Sequence, residues 1–219
     1  MSKRVLITGA SRGIGLGLAE RFMRGGYEVV AGARKPSPAL TRLGCRVVPL
    51  EVTDEGSVSA AARELRSLDV LINNAGVSLD RGRAFEDLPL DAVLDTILTN
   101  SVAPMRVTRA FLPLLKKSER PVVVQLTSAL GSISGAGGGY YGYRMSKAAL
   151  NMFHKAFSAD YPGIISLAVH PGWVKTDMGG EEAPVEVPQS ADGIFALVEK
   201  ARQRDSGGFF DYQGKTLPW

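Results

Sequence analysis

The sequence predicts a single-domain, doubly wound α/β sandwich built on a seven-stranded parallel sheet. Three observations predict it. Seven short runs rich in Val, Ile and Leu recur along the 219 residues, and they are near-continuously apolar rather than alternating, as strands covered on both faces are. Stretches of helical length separate them, and such strand–helix alternation closes through right-handed crossovers into a sheet with helices on both sides. No linker, repeat or low-complexity tract interrupts the chain, so 1–219 reads as one domain.

Taken in order, "RVLITG" (4–9) is the first strand, and a helix follows over about 14–25. "YEVVAGA" (27–33) is the second strand. The stretch 35–44, "KPSPALTRLG", holds two prolines and a glycine, so only a turn or so of helix is expected there. "CRVVPLEV" (45–52) is the third strand, "EGSVSAAARELRSL" (55–68) a helix, and "DVLINNAG" (69–76) the fourth strand. One long helix is expected over 90–117. "PVVVQLTS" (121–128) is the fifth strand, and a second long helix covers 142–160. "IISLAVHPG" (164–172), a helix over 189–203 and "GGFFDYQ" (207–213) complete the alternation.

Composition narrows the function classes. Apolar residues make up 45%, enough for a large core. The formal charge of +4 comes without a dense Lys/Arg run or a basic helix, which argues against a nucleic-acid partner. Cys45 is the one cysteine, and such a chain fits a reducing compartment. His154 and His170 stand without neighbours at metal-ligand spacing, so no metal is expected. The opening "MSKRVLITGA" has too few apolar residues for a signal peptide or a membrane span. The expectation is a cytoplasmic protein with no membrane partner.

Chemistry concentrates in two places. The first is "VLITGASRGIGLGLAERF", where a buried strand runs into a helix through Gly9, Gly13 and Gly15. Glycines let a backbone turn sharply and approach a pyrophosphate, and the helix N-terminus offers free N–H groups and a positive dipole end. Gly9, Ser11, Arg12, Gly13, Ile14 and Gly15 are therefore the candidate phosphate loop. The second is "GGGYYGYRMSK" (137–147), with three tyrosines ahead of Lys147. At about 100° per residue, only Tyr143, four residues away, shares both the face and the turn of Lys147. A phenol has an ordinary pKa of about 10, and a nearby ammonium favours its phenolate, so the spacing suits proton transfer.

These motifs, with "NNAG" at 73–76, "LTS" at 126–128 and "HPGWVKTDMGG" at 170–180, resemble the short-chain dehydrogenase/reductase family in order and spacing. "GGGYYGYRMSKAALN" and the tail "SGGFFDYQGKTLPW" resemble its carbonyl-reductase-like branch, that of the C-factor and sniffer proteins. The resemblance implies a Rossmann-type fold and a catalytic set of Asn100, Ser128, Tyr143 and Lys147. Asn100 would kink its helix and hold a water near the lysine. Ser128 would bind the substrate oxygen; it lies fifteen residues before Tyr143 where the family has thirteen, and Ser132 is the rival. The glycine-rich "GSISGAGGG" would then be slack in a lengthened loop. Lys147 would also bind the nicotinamide ribose. Asn74, Ala75 and Gly76 would flank the cofactor, Glu51 and Val52 its adenine, and Pro171, Gly172, Val174 and Thr176 its nicotinamide end.

The second strand ends at Ala33, where members preferring NAD carry an acid, and Arg34 follows. With Arg12 and Lys35 nearby, a 2′-phosphate suits this end better than bare ribose hydroxyls. NADP(H) is the preferred cofactor and NAD(H) the alternative. Only about ten residues, "GGEEAPVEVP", stand where relatives place substrate-covering helices. The expected activity is NADPH-dependent reduction of small aldehydes and ketones with loose specificity. The alternative is a C-factor-like signalling or sensor protein that binds NAD(P) with little turnover. The long helices at 90–117 and 142–160 are free to pair with a second copy, giving a homodimer or homotetramer.

Overall fold

The computed structural model of the chain describes residues 2–219. Seven parallel strands run in the order β3-β2-β1-β4-β5-β6-β7. They are β1 (Arg4–Thr8), β2 (Glu28–Ala33), β3 (Arg46–Pro49), β4 (Val70–Asn73), β5 (Val122–Leu126), β6 (Ile165–His170) and β7 (Gly208–Asp211). The helices are α1 (Gly13–Arg24), α2 (Pro38–Leu43), α3 (Glu55–Arg63), α4 (Leu90–Ile97), α5 (Ala103–Leu115), α6 (Tyr141–Asp160) and α7 (Val187–Lys200).

Strand side chains alternate between two cores. Val5, Ile7, Val29, Ala31 and Val70 face one layer with Leu18, Phe22 and Ile194 of α1 and α7. Leu6, Val30 and Leu71 face the other, with Val107 and Phe111 of α5 and Phe157 of α6. Both faces are covered, so period-two polarity is absent from the strands, as the sequence indicated.

Local signals explain most boundaries. Asp54 caps α3, accepting from the Ser57 N–H at 2.5 Å. Ser37 caps α2 (Leu40 N–H to Oγ, 3.2 Å), with Pro38 at its first position and Gly44 left-handed after it. That stretch makes six helical residues, under two turns, in line with the turn or so of helix expected. α3 stops at Arg63, short of the expected 68, although Leu65 and Leu68 beyond it remain buried. The helix expected over 90–117 is broken into α4 and α5 by a π turn at Leu98–Val102. A π turn inserted in an α-helix commonly marks a functional position, and this one contains Asn100.

Candidate active site

The carboxyl ends of the strands open into a cleft of about 810 Å³. It lies beside the break in strand order between β1 and β4, the place where open α/β sheets bind ligands. Gly9, Ser11, Arg12, Gly13, Ile14 and Gly15 line one end. Gly9 has φ 65°, and a Cβ at Gly15 would stand 2.4 Å from the Gly9 carbonyl oxygen. The turn therefore stays bare backbone at the mouth of α1, a cradle that fits a dinucleotide pyrophosphate.

Asn74 locks this loop from β4. Its Nδ2 donates to the carbonyls of Thr8 (2.7 Å) and Gly9 (3.2 Å), while the Asn74 and Ala75 N–H groups donate to Thr8 Oγ1 at 3.0 Å each. Asn74, Ala75 and Gly76 all line the cleft, with the Asn74 side chain committed to the loop. At the far rim stand Arg34, Lys35, Glu51 and Val52. The Glu51 carboxylate was expected to meet an adenine. Its Oε1 accepts from Thr53 Oγ1 (2.8 Å) and N–H (3.2 Å), and its Oε2 lies 3.8 Å from Arg34. Arg12 pairs with Asp177 at 2.7 Å, both side chains largely exposed.

The catalytic candidates converge at the other end. Ser128 caps a short 3-10 turn after β5, its Oγ accepting from the Leu130 N–H at 3.1 Å, and its hydroxyl is near enough to Tyr143, third residue of α6, to act on the phenol. Lys147 is buried and donates from Nζ to the Leu126 carbonyl at 2.8 Å. A Cβ at Gly131 would press to 2.8 Å from the Lys147 backbone, so this glycine lets the turn behind Ser128 lie flat on α6. Ser132 does not reach the site: its Oγ donates to the Trp219 backbone oxygen at 3.1 Å.

Asn100 is fully buried. Its Oδ1 accepts from the Val77 N–H at 2.8 Å, and its Nδ2 donates to the Val77 carbonyl at 2.8 Å and to Ser146 Oγ at 3.0 Å. Ser146 Oγ donates in turn to the Tyr143 carbonyl at 2.7 Å. The Asn100 side chain is thus a brace between the β4 loop and α6. Gly172 and Val174 do not line the cleft. Gly172 turns against the Tyr212 ring, and Val174 is buried in a bridge to Val185; Pro171 and Thr176 do line it.

Burial governs the electrostatics. It lowers the Lys147 ammonium to about 8. It raises the Tyr143 phenol above its ordinary value, opposed by the Ser128 hydrogen bond. The sequence had suggested that Lys147 pulls the phenol down. Its Nζ stands 5.7 Å from the Tyr143 ring centroid, and desolvation outweighs it. The phenol therefore keeps its proton at neutral pH.

Sequence reasoning missed several residues. Asp80 is buried and accepts the Gly142 N–H at the head of α6 through Oδ2, at 2.7 Å. Asp177 and Met178 line the cleft, and Ser37 ties its rim to the phosphate loop through the Ser11 carbonyl at 2.6 Å. Only the capping preference of Ser37 left a local signal.

A family model described as short chain dehydrogenase matches residues 3–186. The chain belongs to the short-chain dehydrogenase/reductase family. Among curated relatives of this short-chain dehydrogenase/reductase, the C-signal of Myxococcus xanthus is 43% identical over 155 residues, 69% of this chain and 93% of that protein. Among solved structures, the NADPH-bound carbonyl reductase from chicken fatty liver aligns over 100% of this chain and 99% of its own, at 35% identity and TM-score 0.89. The carbonyl reductase Sniffer of D. melanogaster aligns over 100% of both chains, at 32% identity and TM-score 0.94. The chain is thus an NAD(P)-dependent oxidoreductase by family, with the Rossmann-like sheet its relatives share.

Proposed function

We propose that this short-chain dehydrogenase/reductase reduces small aldehydes and ketones with NADPH. One observation carries the reading. A half-buried phenol, beside Ser128 and one helical turn from Lys147, closes the end of a cleft whose other end is a glycine phosphate loop. Bound along the cleft, a reduced nicotinamide supplies the hydride. Tyr143 donates its phenolic proton to the carbonyl oxygen as the alcohol forms, and Ser128 donates a hydrogen bond to that oxygen. Lys147 holds positive charge beside the phenolate that Tyr143 becomes, and it binds the nicotinamide ribose. The π turn disrupts the helical ladder at Asn100, and with the side chain braced, the water-holding role falls to its main-chain carbonyl.

Preference for NADPH rests on the rim. Ala33 leaves no acid at the end of β2, and Arg12, Arg34 and Lys35 all line the cleft. The pairs Arg12–Asp177 and Arg34–Glu51 are mostly exposed, and such pairs are worth little, so a 2′-phosphate competes for both guanidinium groups. Purified protein assayed against a panel of small carbonyls, with NADPH and NADH in parallel, tests the reading. Turnover with NADPH exceeding that with NADH supports it; no oxidation of either cofactor across the panel overturns it.

The similarity to the C-signal favours a second reading, a signalling protein that binds NAD(P) with little turnover. A cellular phenotype that survives Tyr143→Phe but is lost with Gly13→Asp distinguishes it.

A further inference from the structure

The loop that leads into the catalytic helix is tied down over its first residues, Ser132–Ser134, while Gly138 and Gly139 stand in open space. After the 3-10 turn Ala129–Gly131, its Ser134 N–H and its Ser132 Oγ each donate to the backbone oxygen of Trp219 at 3.1 Å. The Ser132 and Ser134 hydroxyls also meet at 3.2 Å. Trp219 arrives there because the chain doubles back along β7. Phe210 bridges Thr216 antiparallel, and the Leu217 N–H donates to the Phe209 carbonyl at 2.8 Å.

The Trp219 indole is fixed on two further elements. It stacks on Phe209 of β7, with ring centroids 5.2 Å apart at 26°. It also lies against His154 of α6, 6.0 Å between centroids. His154 is seven residues beyond Lys147, two turns along the same helix face. One residue therefore joins the sheet edge, the catalytic helix and the loop carrying Ser128. The link to Ser128 is short. The Gly131 N–H donates to the Ser128 carbonyl at 2.9 Å and the Ser132 N–H to the Ala129 carbonyl at 3.1 Å. Asn151 Nδ2 of α6 reaches the Gly131 carbonyl at 3.2 Å from the other side.

We propose that Trp219 is a positioning residue for catalysis, holding Ser128 against Tyr143 by clamping the 132–134 loop onto β7 and α6. It lines no part of the cofactor cleft, so its loss acts on the reacting geometry and leaves dinucleotide binding intact. Small misplacements of a reacting group are costly, and about a tenfold fall in kcat is the expected effect.

The inference rests on the reductase reading above, and the experiment separates the two. Wild type, Trp219→Ala, Trp219→Phe and Ser132→Ala are compared for kcat, NADPH affinity and amide hydrogen exchange over 128–136. The expected result is lower kcat and faster exchange in Trp219→Ala at unchanged NADPH affinity. Trp219→Phe, which keeps an aromatic ring for the stack on Phe209, returns most of the rate, and Ser132→Ala, which removes the hydroxyl bonds to Trp219 and Ser134 but leaves the Ser134 N–H bond, gives a smaller loss of the same kind. Wild-type kcat in Trp219→Ala overturns the proposal, as does a loss of rate and of NADPH affinity in proportion. If Trp219→Ala does not fold, Ser132→Ala with unchanged kcat and exchange overturns it. A wild type without turnover defeats the reductase reading instead, and unchanged exchange in Trp219→Ala then defeats the clamp as well.

Discussion

Tyr143 was separable from Tyr140 and Tyr141 by helix geometry, and the structure gives the other two different places. Tyr140 takes a left-handed conformation (φ 54°) ahead of α6, and Tyr141 packs on Phe85 with centroids 5.1 Å apart. The glycine loop and Lys147 were equally legible, because each is a local pattern tied to a local turn or face. Asp80 and Trp219 were not, because the partner of Asp80 lies 62 residues away and the loop that Trp219 holds lies 85 or more away, and no local periodicity encodes such a contact. His154, which sequence marked only as an isolated histidine, yields a prediction of its own. Burial lowers it to about 4, with Lys155 adding to the effect and the Gly207 and Gly208 backbones opposing. The unfolded chain takes up that proton at a higher pH, near 6.5. The stability from neutral His154 is therefore complete above about pH 6.5 and lost as pH falls toward 4, by roughly 3 kcal/mol. His170, lowered in the same direction, acts in the same sense. Denaturant titrations between pH 4 and 7 should show this slope, and His154→Gln should flatten it. An equally steep slope in the variant would contradict the assignment.

At the scale of elements, strands and helices were legible because burial on both faces of the sheet writes itself into composition. The broken helix was not. Residues 90–117 read as one amphipathic stretch, and the π turn at 98–102 is held by tertiary bonds from Asn100 to Val77 and Ser146. The catalytic helix is also set from outside. Its head has no side-chain cap of its own, and Asp80, from the loop after β4, supplies the acceptor at Gly142. Asp80→Ala leaves a buried N–H unpaired and should destabilise the fold by about 1–3 kcal/mol while lowering kcat. Asp80→Asn keeps an acceptor and should retain most of both. Thermal melts and steady-state rates on the two variants check this, and equal losses in both would argue against a capping role.

The whole molecule leaves one apolar face open. Leu90, Leu94 and Leu98 on α4 and the π turn, Met105 on α5, and Met145 and Met152 on α6 are exposed, Leu94 by 63% and Met152 by 70%. Apolar side chains exposed on neighbouring helices mark an interaction site, and α4 packed beside α6 suits a second copy of the chain. Light scattering at micromolar concentration should give a dimer or larger, and Leu94→Glu with Leu98→Glu should give a monomer; a monomeric wild type would refute the pairing. Within the described residues, no helix is long and apolar enough to cross a membrane. The central claim concerns the one phenol that lines the cleft, and a single measurement reaches it most directly. NADPH oxidation with a small activated ketone is followed in wild type and in Tyr143→Phe, with NADPH affinity measured alongside. The account predicts turnover in wild type, a loss on the order of a hundredfold or more in the variant, and equal affinity in both. Wild-type turnover in Tyr143→Phe would contradict it.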